Sequence, residues 1–129
     1  DRLKIYIDGS CRPNPGKGGI GIVITENGKI LKKISKCIGE ATNNIAEYEA
    51  LLLALKTAYN MKAKELEIMS DSELLTKQMN DEYKVKNEKI LKLFKKAKDL
   101  EKKFNFVKYI KIPRKENKQA NLLALRATE

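Results

Sequence analysis

This chain has no histidine, so the side chain that most often serves as general base and transition-metal ligand is missing, and any chemistry must fall to carboxylates and hard cations. Two carboxylates stand where a fold could use them. Asp8 closes the run Leu3-Lys4-Ile5-Tyr6-Ile7-Asp8, whose alternation puts Leu3, Ile5 and Ile7 on one face of a half-buried strand. Gly9 and Ser10 then lead into a glycine-rich turn through Pro13, Asn14, Pro15, Gly16, Gly18 and Gly19. Asp71 closes a second short strand, Glu65-Leu66-Glu67-Ile68-Met69-Ser70-Asp71. An acid held at a rigid strand end beside a glycine turn is a candidate metal ligand, and it is equally a common turn cap; at this segment both uses stand open. Cys11 and Cys37 lack metal-ligand spacing and are too few for a disulfide scaffold, although a bond between them stays open.

The elements that must position these acids can be read in order. Gly21 to Thr25 is β-branched and apolar, Asn27-Gly28 is a hairpin turn, and Ile30 to Ile38 is the return strand, which with the first run makes an antiparallel meander. Thr42, Asn43 and Asn44 offer N-caps to a long helix over Ile45 to Tyr59, with Ile45, Tyr48, Leu52, Leu55 and Tyr59 at helical spacing and Ala46, Ala50, Ala54 and Ala58 as a slim flank. The strand ending at Asp71 is followed by a short helix, Ser72 to Met79. This order demands a crossover and parallel pairing with the first strand, bringing Asp8 and Asp71 out at the same end of neighbouring strands. A third helix, Asn87 to Lys103, buries Ile90, Leu93, Phe94, Ala97, Leu100 and Phe104. Phe106 to Ile112 is the last strand, stopped by Pro113, and Glu116 to Thr128 the last helix.

At 129 residues, 1–129 reads as one domain with enough chain to bury a core without staples. No apolar run reaches the roughly eighteen residues of a membrane span, and no signal-peptide pattern opens the chain, so the expectation is a cytoplasmic protein with no membrane partner. A formal charge of +10, from 27 basic against 17 acidic residues, favours a polyanion such as nucleic acid as partner, though a lysine-rich proteome would give the same excess.

Four segments taken together identify a family. Asp8-Gly9-Ser10 with its Asn-Pro-Gly turn, Thr42-Asn43-Asn44 ahead of Glu47, Ser70-Asp71-Ser72 after a strand, and Pro113-Arg114-Lys115-Glu116-Asn117 before the last helix resemble, in this order and over nearly the whole chain, ribonuclease H type 1. The resemblance implies an α/β fold with a mixed five-stranded sheet, three antiparallel strands joined to two parallel ones, and helices on both faces. It implies metal-dependent endonucleolytic hydrolysis of the RNA strand of an RNA/DNA hybrid, with two Mg²⁺ ions, or Mn²⁺, held by Asp8, Glu47 and Asp71. The family pattern places a fourth acid in Ala-Asp-x-Leu-Ala, where this chain has Ala120-Asn121-Leu122-Leu123-Ala124, so Asn121 stands at a ligand position as a neutral amide. Such an exchange weakens one metal and slows hydrolysis while sparing hybrid binding. It is also the change one would engineer to trap an uncleaved complex, and with every other motif intact that origin is the favoured reading.

The resemblance further implies substrate contacts at Asn14, Thr42, Asn43 and Asn44, whose amide and hydroxyl groups suit 2′-hydroxyl recognition as well as turn and cap chemistry. Glu73 stands where the family often has Gln toward the RNA strand, and Arg114 opens a segment that lacks the family's histidine. With no Trp and no room between Met79 and Asn87 for a basic handle, this is a compact member, leaving Lys89, Lys92, Lys95, Lys96, Lys98, Lys102 and Lys103 to meet the DNA strand or simply to solvate the helix. No obligate protein partner is implied, and a monomer is expected. The alternatives are a module that binds hybrid or double-stranded nucleic acid without cutting, and a DNA-directed nuclease of the same fold.

Overall fold

The computed structural model describes residues 2–129. Its elements are β1 (Arg2–Arg12), β2 (Gly16–Glu26), β3 (Lys29–Ala41), α1 (Asn43–Asn60), β4 (Glu65–Ser70), α2 (Glu73–Met79), α3 (Glu88–Glu101), β5 (Phe106–Lys111) and α4 (Lys118–Ala127), with a 3-10 turn over Arg114–Glu116 ahead of α4. The sheet order is β3-β2-β1-β4-β5. Strands β1 to β3 pair antiparallel, while β4 pairs parallel with both β1 and β5, which is the expected mixed α/β sheet with its crossover. The Asn27-Gly28 hairpin has positive φ at both residues, 52° and 80°, as a tight turn between twisted strands requires. Helix α1 lies on one face against β1 and β2 with α3 packed on it, and α4 lies across β1, β2 and β3 on the other. Ile5, Ile7, Ile22, Ile24, Leu66 and Ile68 are fully buried, each removing apolar surface worth about 1.5–3 kcal/mol from water, so the sheet is a stiff platform. The outermost β3 is mostly exposed and carries Lys29, Lys32, Lys33 and Lys36, charges that discourage edge-to-edge pairing.

Two expectations are corrected. The first strand does not end at Asp8, and the second does not begin near Gly21: β1 runs on to Arg12 and β2 starts at Gly16, so most of the glycine-rich stretch is strand rather than turn. Close approach of the helices is the reason. A Cβ on Gly9 would sit 2.3 Å from the Ala46 backbone of α1, and one on Gly21 would sit 2.1 Å from the Ala120 carbonyl of α4. These glycines let both helices settle directly on the sheet. Second, Tyr59 falls outside the buried stripe of α1: Tyr48, Leu52 and Leu55 are buried and the flank of Ala46, Ala50, Ala54 and Ala58 is fully buried, whereas Tyr59 is 48% exposed and packs edge-on against Phe104. The cysteines are both free, Cys11 buried in β1 and Cys37 exposed on β3. Among the described residues, no helix is long and apolar enough to cross a membrane.

Candidate metal centre and nucleic-acid interface

Strand β1 outlasts its parallel neighbour. Pairing with β4 stops at Tyr6↔Met69, and continuing that register by two residues sets Asp8 level with Asp71 just beyond the end of β4. Past this point the edge of β1 that faced β4 would be left with bare backbone groups, and buried groups of that kind must find partners. Side chains supply them. The Ile7 carbonyl accepts from Asn117 Nδ2 at 2.9 Å, the Gly9 N–H donates to Glu47 Oε1, and the Cys11 N–H donates to Asn43 Oδ1 at 2.9 Å. Three residues from α1, its first turn and the α4 entry thus stand in for a missing strand, and one of them is an acid.

The acids converge as a result. Asp8, Glu47 and Asp71 each present an oxygen within 4.8 Å of the others, with Asp8 and Glu47 buried. Asp71 is held between two serines: Ser70 Oγ accepts from the Ser72 N–H at 3.0 Å, and Ser72 Oγ caps α2 by accepting from the Leu75 N–H at 3.1 Å. Asn121 reaches the same place from α4, its Nδ2 donating to Asp71 Oδ2 at 3.1 Å. Asn117 Nδ2 donates to that same oxygen at 3.0 Å. Burial first, then the neighbouring Asp71 charge, pushes the Asp8 carboxyl up to about 7, with Arg114 partly offsetting the rise. Glu47 is likewise raised well above its ordinary value by burial and by Asp8. A crowded set of buried oxygen donors that cannot all ionise alone is chemically matched to a hard divalent cation, and the absence of nitrogen and sulfur donors disfavours a softer metal.

The polar groups expected to meet substrate gather beside this centre. Asn14 Oδ1 accepts from the Asn43 N–H at 3.1 Å, tying the β1–β2 turn to the start of α1, and Thr42 Oγ1 caps α1 by accepting from the Ile45 N–H at 3.2 Å. Asn44 is exposed on the first turn of that helix, so turn chemistry occupies Asn14, Thr42 and Asn43 while Asn44 remains presented to solvent. Glu73 is exposed at the start of α2, one turn of chain from Asp71, and Arg114 is exposed yet near enough to bias Asp8 and Glu47. The lysine series of α3 is not uniform. Lys98 is drawn inward, donating to the Met79 carbonyl at 2.8 Å and pairing with Asp81, whereas Lys89, Lys92, Lys95 and Lys96 are exposed. A cavity of about 680 Å³ lies not at the acids but beside the entry to α4, lined by Lys4, Tyr6, Val23, Lys118 and others.

Sequence reasoning passed over Asn117. It belongs to the segment read as leading into the last helix, yet it is 1% exposed and touches both β1 and Asp71. Its type at a helix N-terminus suggests a cap, the one signal available, and that signal points to the wrong partner.

Known proteins share this fold. The family model described as reverse transcriptase-like matches residues 6–127. Bifunctional protein Rv2228c of Mycobacterium tuberculosis is 37% identical over 125 residues, which cover 95% of this chain but 34% of that protein, so the chain spans about a third of the length of the first curated relatives it matches. The solved N-terminal RNase H domain of Rv2228c superposes with a TM-score of 0.96 at 36% identity, covering 100% of both chains. RNase H1 of the halophilic archaeon Halobacterium salinarum gives a TM-score of 0.95 at 33% identity over 98% of this chain and 97% of that one. LC11-RNase H1, solved in complex with an RNA/DNA hybrid, gives 0.93 at 39% identity over 98% and 96%.

Proposed function

Because this chain belongs to the reverse transcriptase-like family of RNase H-like domains, homologous to RNase H1 enzymes, we propose that it is a metal-dependent endonuclease hydrolysing the RNA strand of an RNA/DNA hybrid. The observation that carries this reading is the convergence of Asp8, Glu47 and Asp71 within 4.8 Å at the end of the β1–β4 pairing. These three acids would hold two Mg²⁺ ions, or Mn²⁺, with the Asn121 carbonyl as a neutral fourth donor. When bound, such a pair supplies an activated water and a Lewis acid for the leaving oxygen of a phosphodiester. The chain's own part is to keep the acids in register on a rigid sheet and to orient the duplex. Asn44 offers donor and acceptor groups to 2′-hydroxyls from the α1 N-terminus, backed by Asn14, Thr42 and Asn43, which fix that rim. Arg114 stands beside the acids, where a cation favours the scissile phosphate. That a related enzyme, LC11-RNase H1, was solved with an RNA/DNA hybrid supports the choice of substrate.

Asn121 sets the expected rate. An amide carries no charge and offers a cation only its carbonyl oxygen, so this chain should bind hybrid normally and cut slowly. The test is a cleavage time course on a labelled hybrid with Mg²⁺ and then Mn²⁺, comparing the chain with Asn121→Asp. The variant should cut the RNA strand about 10–100-fold faster at equal hybrid affinity, the range by which groups shaping a metal site commonly act. Binding by both with cutting by neither would replace this reading with a binding-only module. Cutting of a DNA duplex instead would make it a DNA nuclease of the same fold.

A further inference from the structure

We propose that Asn117 is a positioning residue of the metal centre, locking Asp71 to the β1 backbone beside Asp8 so that the acids are in register before a cation arrives. The inference rests on the metal reading above and assigns a role to a residue that the reading does not use. Asn117 provides the carbonyl that starts α4, accepting from the Asn121 N–H at 3.0 Å. An asparagine there ordinarily turns its side chain back to cap its own helix. This one does not: it makes no side-chain cap bond, and its φ of −114° and ψ of 26° are not the extended values usual for a cap.

The amide instead points sideways. Nδ2 donates to the Ile7 carbonyl at 2.9 Å and to Asp71 Oδ2 at 3.0 Å, spanning the gap where the β1–β4 ladder has stopped. Both protons of the amide are thereby used, one on β1 and one on Asp71 just beyond the end of β4. Oδ1 receives nothing: it is buried without a hydrogen-bond partner among the described residues. The residue thus forgoes a side-chain cap and leaves an acceptor unsatisfied. Local rules broken in this way at a site are expected where geometry is being held for function. Because Asn121 Nδ2 shares Asp71 Oδ2 at 3.1 Å, two amides from one face of α4 orient a single carboxylate. Groups that hydrogen-bond a ligating carboxylate orient it for its metal and tune its affinity.

The test measures Mn²⁺ binding by calorimetry and by the electron paramagnetic resonance signal of the bound ion, in the parent chain, in Asn117→Ala and in Asn87→Ala. The last variant removes the cap of α3, where Asn87 Oδ1 accepts from the Lys89 and Ile90 N–H groups, and so lowers stability away from the acids. Asn117→Ala should bind Mn²⁺ about 10–100-fold more weakly with an altered resonance, while Asn87→Ala keeps the parent's affinity and signal. Equal affinity in the parent and Asn117→Ala overturns the proposal alone, as does equal weakening in both variants; a parent chain that takes up no Mn²⁺ overturns it together with the metal reading. Should Asn117→Ala not fold, the parent decides by nuclear magnetic resonance. The Asn117 side-chain amide protons should exchange slowly and shift on adding Mg²⁺, and signals that exchange freely or stay unmoved reject the role.

Discussion

Burying Asp8 beside Glu47 leaves the metal-free site with more acid than it can ionise, and this fixes a pH dependence. Folded, Asp8 holds its proton up to about 7; unfolded, it releases it near its ordinary 3.8. Between those values the folded chain binds the extra proton, so metal-free stability falls as pH rises through the window, and Glu47, also raised, acts in the same direction. A divalent cation removes that burden. The rise in Tm on adding Mg²⁺ should therefore be larger at about pH 8 than at about pH 5, and thermal scans with and without the ion at both values check it. A rise independent of pH would place the cation elsewhere. The same residues show where single-letter reading ends: Asp8 and Asp71 were legible as strand-end acids, whereas Glu47 and Asn121 were marked only by family resemblance, because nothing in a helical Glu or Asn states which strand it will face.

At the scale of elements, the site depends on how closely α1 can approach β1. Adding a methyl group in a strand is ordinarily neutral or helpful, since glycine loses the most freedom on folding. At Gly9 the sign reverses, because a Cβ would stand 2.3 Å from the Ala46 backbone and 2.4 Å from the Glu47 N–H group. Gly9→Ala should lower stability by about 1–3 kcal/mol, as overpacking does, and weaken metal binding by moving Glu47 off the Gly9 N–H. Denaturant unfolding and Mn²⁺ titration of that variant measure the two effects; an unchanged Mn²⁺ affinity would mean that α1 shifts without disturbing its acid. The bounds of β1 and β2 differ from the sequence expectation for the same cause. Glycine in a sequence signals a turn by default, and whether it instead clears space for a helix depends on what lies above it.

Charge belongs to the whole molecule. An excess of +10 spread over exposed lysines, including Lys89, Lys92, Lys95 and Lys96 on α3, should make hybrid binding fall steeply with salt as condensed counterions are released. If α3 touches the duplex backbone, replacing Lys95 and Lys96 by Ala reduces the slope of log K against log salt by about one per lost phosphate contact. Lys98→Ala should leave that slope unchanged and cost stability instead, because its ammonium already serves Met79 and Asp81. Affinity measured across a salt series for these variants separates the two uses of one lysine-rich helix.

The sequence by itself determined the alternation of strand and helix, the parallel crossover that aligns Asp8 with Asp71, the hairpin at Asn27-Gly28 and the exclusion of histidine chemistry. Each of these follows from periodicity, turn chemistry or composition, which act over a few neighbouring residues. Only the tertiary structure decided that β1 continues past β4, that Glu47, Asn43 and Asn117 complete its edge, and that Gly9 and Gly21 lie beneath helices. Those facts depend on contacts between segments far apart in the chain, where the unsatisfied backbone of one strand selects its partners from whatever side chains the packed helices bring within reach.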